Sequence, residues 1–236
     1  ALANGTGSAV VKAGGKDWFF LTADYAFGYA LQRDVAAVVT RNGGKVLGEV
    51  RHPINTNDFS SFLLQAQASK AQIIGLANAG GDTINSIKQA AEFGIVKGGQ
   101  SLAGMLVFIT DVHALGLKAA QGLVFTAPWY WDRDEASREF SKAYFNDLKR
   151  MPGYTVAGVY SGVIHYLKAA EALKGDVADG AKVVAKMKEL PTEDPVLGKG
   201  SIRADGRKIN PMTEVLGTSG ANGGLMVFIQ GLLQPG

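Results

Sequence analysis

Asp17-Trp18-Phe19-Phe20-Leu21-Thr22 running into Ala23-Asp24-Tyr25-Ala26-Phe27-Gly28 is an apolar strand that passes directly into a polar, aromatic loop opening a helix. The same change of pattern occurs twice more, where Gln72-Ile73-Ile74-Gly75-Leu76-Ala77-Asn78 meets Ala79-Gly80-Gly81-Asp82-Thr83 and where Met105-Leu106-Val107-Phe108-Ile109-Thr110 meets Asp111-Val112-His113. Short apolar runs alternating with helical periodicity are the signature of a parallel sheet wound with helices on both faces. In such a sheet the strand-to-helix loops gather at the carboxyl edge, where helix N-termini offer unpaired N–H groups and a positive dipole end. These stretches therefore point to an α/β fold with a binding cleft.

Working outward, the apolar runs predict five strands at Trp18–Thr22, Lys45–Arg51, Ile73–Ala77, Leu106–Ile109 and Leu123–Thr126, and residues 16–128 read as one complete parallel α/β lobe. Between them Asp58 is placed to cap a helix carrying Phe59, Phe62, Leu63 and Ala66 at i, i+3, i+4 and i+7, and Asp82 or Thr83 opens another with Ile84, Ile87 and Ala91 inward. After Pro128-Trp129-Tyr130-Trp131 the texture changes. Residues 129–212 read as a helical remainder, with helices at Asp134–Lys149, Thr155–Leu173 and about Asp179–Leu190 and a hairpin around Gly198–Ile202. Val156, Val159, Tyr160, Val163, Leu167 and Ala170 make a 3.6-residue stripe on the middle helix that calls for a cover, and self-association through these uncovered helices is expected. Residues 213–236 form an atypical C-terminal segment in which 217–224 read as a linker and Leu225–Ile229 as an apolar strand.

Composition narrows the function. The 236 residues are 47% hydrophobic and 19% charged, which describes a foldable chain with a packed core. The net charge is only +3, and the Lys and Arg residues form no run and frame no aromatic platform, so nucleic acid is not expected as a partner. With no cysteine there is no disulfide, thiolate nucleophile or Cys-type zinc site. No apolar run approaches the ~20 residues of a membrane span. The three histidines stand apart without ligand spacing, no nucleophile–base–orienter set is visible, and Gly80-Gly81 alone is no dinucleotide fingerprint, so neither enzyme activity, metal nor cofactor is expected.

The candidate contacts are the residues just past the strand ends. Tyr25 is placed to stack on a ligand or donate its hydroxyl, while Phe27 reads as core. The turn Ala77, Asn78, Ala79 and Gly80 offers free backbone beside a helix start, suited to a carboxylate. Thr110 and Asp111 end the fourth predicted strand, although Asp111 is equally a natural N-cap for a helix predicted from Val112 to Leu117. Packing suits at least two of the three aromatics Trp129, Tyr130 and Trp131, and Tyr160 and Tyr166 read as core.

Several of these stretches resemble the solute-binding proteins of branched-chain amino-acid type ABC transporters, within them the subset that handles aromatic acids. The resemblance lies in residues 18–28, 57–69, 119–123 with 129–132, 157–169, and 186–191 with Asp205-Gly206-Arg207, and it covers about residues 1–212. It implies a type I periplasmic-binding-protein-like fold, a parallel sheet flanked by helices with a second, incomplete helical lobe, the family's N-terminal part being missing before Ala1. It also implies a periplasmic, non-enzymatic protein that closes by a hinge on a small carboxylate, an aromatic acid first and a branched-chain amino acid second, and delivers it to an ABC transporter permease. By position in the family's motifs, Tyr25, Ala77–Gly80 and Thr110–Asp111 would be the ligand contacts. A ligand-sensing domain of a regulator or receptor shares the architecture and is the alternative.

Overall fold

The computed structural model describes residues 2–116, 118–120, 123–210, 213–219 and 225–226. The chain divides into two units, one of residues 1–127 with 214–230 and one of 128–213 with 231–236.

In the first unit the order is α1 (Leu2–Lys12), β1 (Asp17–Ala23), α2 (Ala26–Arg41), β2 (Lys45–His52), α3 (Ser60–Ala68), β3 (Ile73–Ala77), α4 (Gly80–Glu92), β4 (Ser101–Gly104), α5 (Ile109–Leu115) and β5 (Leu123–Ala127). Two later strands, β9 (Thr213–Ser219) and β10 (Leu225–Met226), extend the sheet to the order β10-β9-β5-β4-β3-β1-β2. β2, β1, β3, β4 and β5 are mutually parallel. β1 is buried on both faces after its first residue, as a strand covered by helices on each side must be, which is why it reads as unbroken Trp-Phe-Phe-Leu. Trp18 and Phe20 join Val35 and Val39 of α2, Val10 and Val11 of α1, and Ile73 in one apolar cluster. The Trp18 indole N–H donates to Gly15 O at 2.8 Å, so the largest core side chain leaves no polar atom unpaired. α1 is tied to the sheet by the buried Thr6–Thr126 hydroxyl pair at 2.9 Å.

The fourth strand departs from its sequence reading. It is Ser101–Gly104, and Met105–Phe108 form the following loop rather than a strand. Gly104 gives the reason, because Val107 folds back to within 2.4 Å of where a Gly104 Cβ would stand, so the apolar run 105–109 turns over the strand end instead of extending it. α5 therefore starts at Ile109, three residues before the predicted Val112, and Leu117 at the predicted end lies outside the described residues. α4 likewise begins two residues before Asp82. In the C-terminal segment Gly217–Ser219 belong to β9 rather than to a linker, Leu225 and Met226 form β10, and residues 227–229 of the expected strand lie outside the described residues.

The second unit holds α6 (Glu135–Leu148), α7 (Tyr154–Ala172), α8 (Gly180–Glu189) and an antiparallel sheet of β6 (Thr192–Asp194), β7 (Gly198–Ile202) and β8 (Lys208–Ile209). Asp134 caps α6 by accepting the Ser137 N–H at 2.8 Å, and Asp179 caps α8 through the N–H groups of Ala181 and Lys182. Trp129, Ala157, Val196 and Leu197 form the core, with Trp131, Phe140, Tyr154 and Tyr160 packed against it. The buried face of α7 is Ala157, Ser161, His165 and Ala169, one residue per turn. The predicted apolar stripe is not that face, for Val159 is 69% exposed and Val163 and Leu167 about half, and Tyr166 is exposed rather than core. Small side chains win the inner face because they let α7 approach β6 and α8 closely, and Ser161 has a polar partner there. That partner is Asp194, a buried carboxylate accepting from Ser161 Oγ (2.5 Å), the N–H groups of Val196 (2.9 Å) and Leu197 (2.7 Å), and Lys208 Nζ (3.2 Å).

Candidate functional site

In the first unit the strand order reverses at β1, since the chain passes from β1 outward to β2 and then returns to β3 on β1's other side. Helices leaving β1 and β3 in opposite directions open a crevice at the carboxyl edge, the usual ligand position in an open α/β sheet. Two strand-to-helix loops flank it, Asp24-Tyr25 and Asn78-Ala79, at the ends of strands whose Thr22 and Ala77 lie in register.

The first loop is set by close packing. α2 begins at once after Tyr25, and a Cβ on Gly28 would lie 2.1 Å from Ala23 O, so only glycine lets the helix start this close to the strand. The Asp24 N–H donates to His52 O (2.8 Å), fastening the end of β1 to the end of β2. Tyr25 is the N-cap residue in extended conformation and supplies no side-chain cap, so the first N–H groups of α2 have no side-chain acceptor from it. Its ring lies 5.7 Å from that of Phe27, and the two are 40% and 38% exposed, so Phe27 is half of an open aromatic pair and not core. Beside them the Tyr29 hydroxyl donates to Asp24, which pushes the Tyr29 phenol above its ordinary value, and the Arg51 guanidinium stands 4.8 Å over the Tyr29 ring. Arg51 is paired with Glu49, whose carboxyl is held below its usual range chiefly by the hydrogen bond from Gln32.

The second loop contains Asn78, Ala79 and Gly80. Ala79 is the N-cap residue of α4, again extended and without a side-chain cap, and Gly80 is exposed with φ +59°. Ala77 and Asn78 are fully buried, and the Asn78 carboxamide is taken by His52 and Thr83. Asp82 accepts the N–H groups of Asn55 (3.1 Å) and Thr56 (2.9 Å), so the loop after β2 is sewn to the first turn of α4.

Of the expected contacts, Tyr25, Ala79 and Gly80 thus stand open at the point of reversal, Ala77 and Asn78 lie beneath it, and Thr110 and Asp111 follow β4, one strand further on. Thr110 is exposed in the first turn of α5. Asp111 caps that turn by accepting the Phe108 N–H at 2.9 Å, and burial pushes its carboxyl up against the lowering effect of that bond. Asp24, Arg51 and His52 were not singled out as site residues. For Arg51 and His52 the signal is the end of β2, whose alternating surface pattern draws no attention to the loop after it, whereas Asp24 lies in the loop after β1 beside Tyr25. A cavity of about 870 Å³ between α4 and α5, reached by Lys88, Leu102 and Leu115, opens beside the start of β4, away from the strand ends that carry these groups. Among the described residues no group of His, Asp and Glu side chains is arranged to hold a metal ion, and no helix is long and apolar enough to cross a membrane.

A sequence model of the family described as periplasmic binding protein matches residues 1–220. The Leu/Ile/Val-binding protein homolog 6 of Brucella melitensis is 28% identical over 197 residues, 80% of this chain and 49% of that protein. The crystal structure of a periplasmic binding protein from Burkholderia mallei is similar at a TM-score of 0.84 and 59% identity, over 91% of this chain and 56% of that one. A solute-binding protein of an ABC transporter from Rhodopseudomonas palustris BisB5, solved with 3,4-dihydroxybenzoic acid, has a TM-score of 0.84 at 25% identity, over 99% of this chain and 65% of that one. The chain spans about half the length of the curated relatives it matches. The matched proteins are binding proteins rather than enzymes.

Proposed function

The chain belongs to the periplasmic binding protein family, with the type I fold of that family, and from this premise we propose that it captures a small carboxylate outside the cytoplasm and delivers it to an ABC transporter permease. The observation that carries the proposal is the pair of helix starts at the strand reversal, α2 after Tyr25 and α4 after Ala79, neither closed by a side-chain cap. Each leaves backbone donors and a positive dipole end for an anion, worth about 0.3–1 kcal/mol apiece at an exposed site. The open Tyr25–Phe27 pair beside them supplies a planar apolar surface, which favours an aromatic acid, with a branched-chain amino acid second. Both ligand classes occur among the relatives, leucine, isoleucine and valine in the name of the Brucella protein and 3,4-dihydroxybenzoate in the Rhodopseudomonas crystal structure.

The test is calorimetric titration of the purified chain with benzoate, 4-hydroxybenzoate, 3,4-dihydroxybenzoate, leucine and isoleucine, paired with thermal unfolding. A ligand at 100 times its Kd adds about 2.7 kcal/mol to the stability of the unit that binds it. A hydroxybenzoate that binds more tightly than leucine supports the reading. No heat and no stabilisation from any of the five would refute it.

A further inference from the structure

Asn78 sits where a ligand contact is expected, yet it is fully buried and both ends of its carboxamide are engaged by the protein. The hydrogen bonds around it have a single direction. His52 Nδ1 lies 2.8 Å from Pro53 O, and a carbonyl only accepts, so Nδ1 carries the proton. In the neutral ring Nε2 is then an acceptor, and it receives Asn78 Nδ2–H at 3.2 Å. Asn78 Oδ1, left facing the other way, accepts the Thr83 hydroxyl at 2.7 Å. Turning the carboxamide over would set two acceptors against each other at His52. The imidazole is also fixed from the side, with the rings of Phe59 and Phe62 4.8 and 6.1 Å away, edge-on.

This relay joins three strand ends and one helix start. His52 ends β2, its carbonyl holds the Asp24 N–H at the end of β1, Asn78 follows β3, and Thr83 lies in the first turn of α4. A helix start is ordinarily fixed by a capping side chain that consumes one of its free N–H groups. Here the N-cap is Ala79, which cannot cap, and the Thr83 hydroxyl is turned inward to Asn78. The geometry points to Asn78 as a positioning residue that, through His52 and Thr83, fixes the β1 end and the α4 start relative to each other while leaving the α4 donors open to a ligand. The inference rests on the carboxylate-binding reading of this edge for its functional consequence, and on the hydrogen-bond directions alone for the relay.

The experiment uses the intact chain and four readouts. Long-range ¹H–¹⁵N spectra, with the His52 signal assigned by its loss in His52→Asn, report the ring tautomer. Amide exchange follows the N–H groups of Asp24, Asn55 and Thr56, with Leu76 as the core reference, and calorimetry with 4-hydroxybenzoate and a melting curve complete the set. Thr83→Val keeps the shape but leaves the buried Asn78 oxygen unpaired, and Thr83→Ser restores the hydroxyl. The expected result is the Nδ1–H tautomer in the wild type, exchange faster by roughly tenfold at Asp24 and Thr56 in Thr83→Val with Leu76 unchanged, and a matching loss of affinity, all recovered in Thr83→Ser. The relay is overturned by an Nε2–H tautomer, by unchanged exchange at Asp24 and Thr56 in Thr83→Val, or by Thr83→Ser failing to rescue. A wild type with the expected tautomer and exchange that binds none of the carboxylates would refute the ligand reading and leave the relay standing.

Discussion

Replacing Asp194 by Asn keeps the size of the side chain and removes its charge from the middle of the second unit. Asp194 is almost fully buried and accepts four hydrogen bonds, from Ser161, Val196, Leu197 and Lys208. An amide can accept at one atom only, so two of the four donors lose their acceptor and the Lys208 ammonium loses its counter-charge. Breaking one side of a buried ion pair costs about 3–5 kcal/mol, and Lys208, a quarter exposed, regains some water, which puts the expected loss near the lower end, about 3 kcal/mol. The dependence on pH follows. Burial raises the Asp194 carboxyl, but hydrogen bonds from Leu197 N–H, Ser161 and Lys208 outweigh it and hold the group below its ordinary value. A folded-state value below the unfolded one means that the contribution is complete above the unfolded value of about 4 and is lost as pH falls through the folded value. Urea unfolding followed by tryptophan fluorescence, run from pH 7 down to pH 3, measures both effects. The variant should be weaker at pH 7 and show a shallower loss below pH 4 than the wild type. A variant within 1 kcal/mol of the wild type at pH 7, or with the same acid slope, would show that the carboxylate is not what fastens α7 to the small sheet.

Three further outcomes are expected. Gly28→Ala drives a methyl group against Ala23 O, and it should destabilise the first unit by about 3 kcal/mol or prevent soluble expression; a melting temperature equal to the wild type would refute the close approach. Tyr25→Ala should weaken 4-hydroxybenzoate binding by about 1–3 kcal/mol with little change in melting temperature, and Thr110→Val should cost less, so unchanged affinity in Tyr25→Ala, read by calorimetry, removes Tyr25 from the site. The exposed α7 face should pair with a second copy, so light scattering should find a dimer that Val159→Asp with Val163→Asp converts to monomer, and a monomeric wild type would count against it.

The parallel lobe was legible because β1 and β3 are buried on both faces, and their unbroken apolar runs admit no other reading. The place of Tyr25, Ala79 and Gly80 between a strand end and a helix start was legible for a related reason, since a strand end followed at once by a helix start fixes where the loop must lie. What failed was the assignment of faces and ends wherever small residues decide. Ser101–Gly104 is too short and too small to stand out beside Met105–Ile109, and the fold-back of Val107 over Gly104 is a contact in space with no periodicity to announce it. On α7 the larger apolar stripe gave the stronger signal, while the buried face carries the small residues Ala157, Ser161 and Ala169, of which Ser161 is bonded to a carboxylate 33 residues later. The burial of Asn78 was illegible for the same cause, its partner His52 lying two strands away in the sheet.

The position of β9 bears on how the protein is made. It lies beside β5 in the sheet, yet the ribosome reaches it only after the whole of residues 128–210 has been synthesised. Until then β5 is an open edge with unpaired N–H and C=O groups, carried by a nascent chain whose second unit has the chance to fold first. Closing that edge is a long-range event of high contact order, the slow kind in folding kinetics. A chaperone that binds exposed strands would find at β5 a target that lasts until β9 has been made, and a stop codon before residue 213 would make that transient exposure permanent.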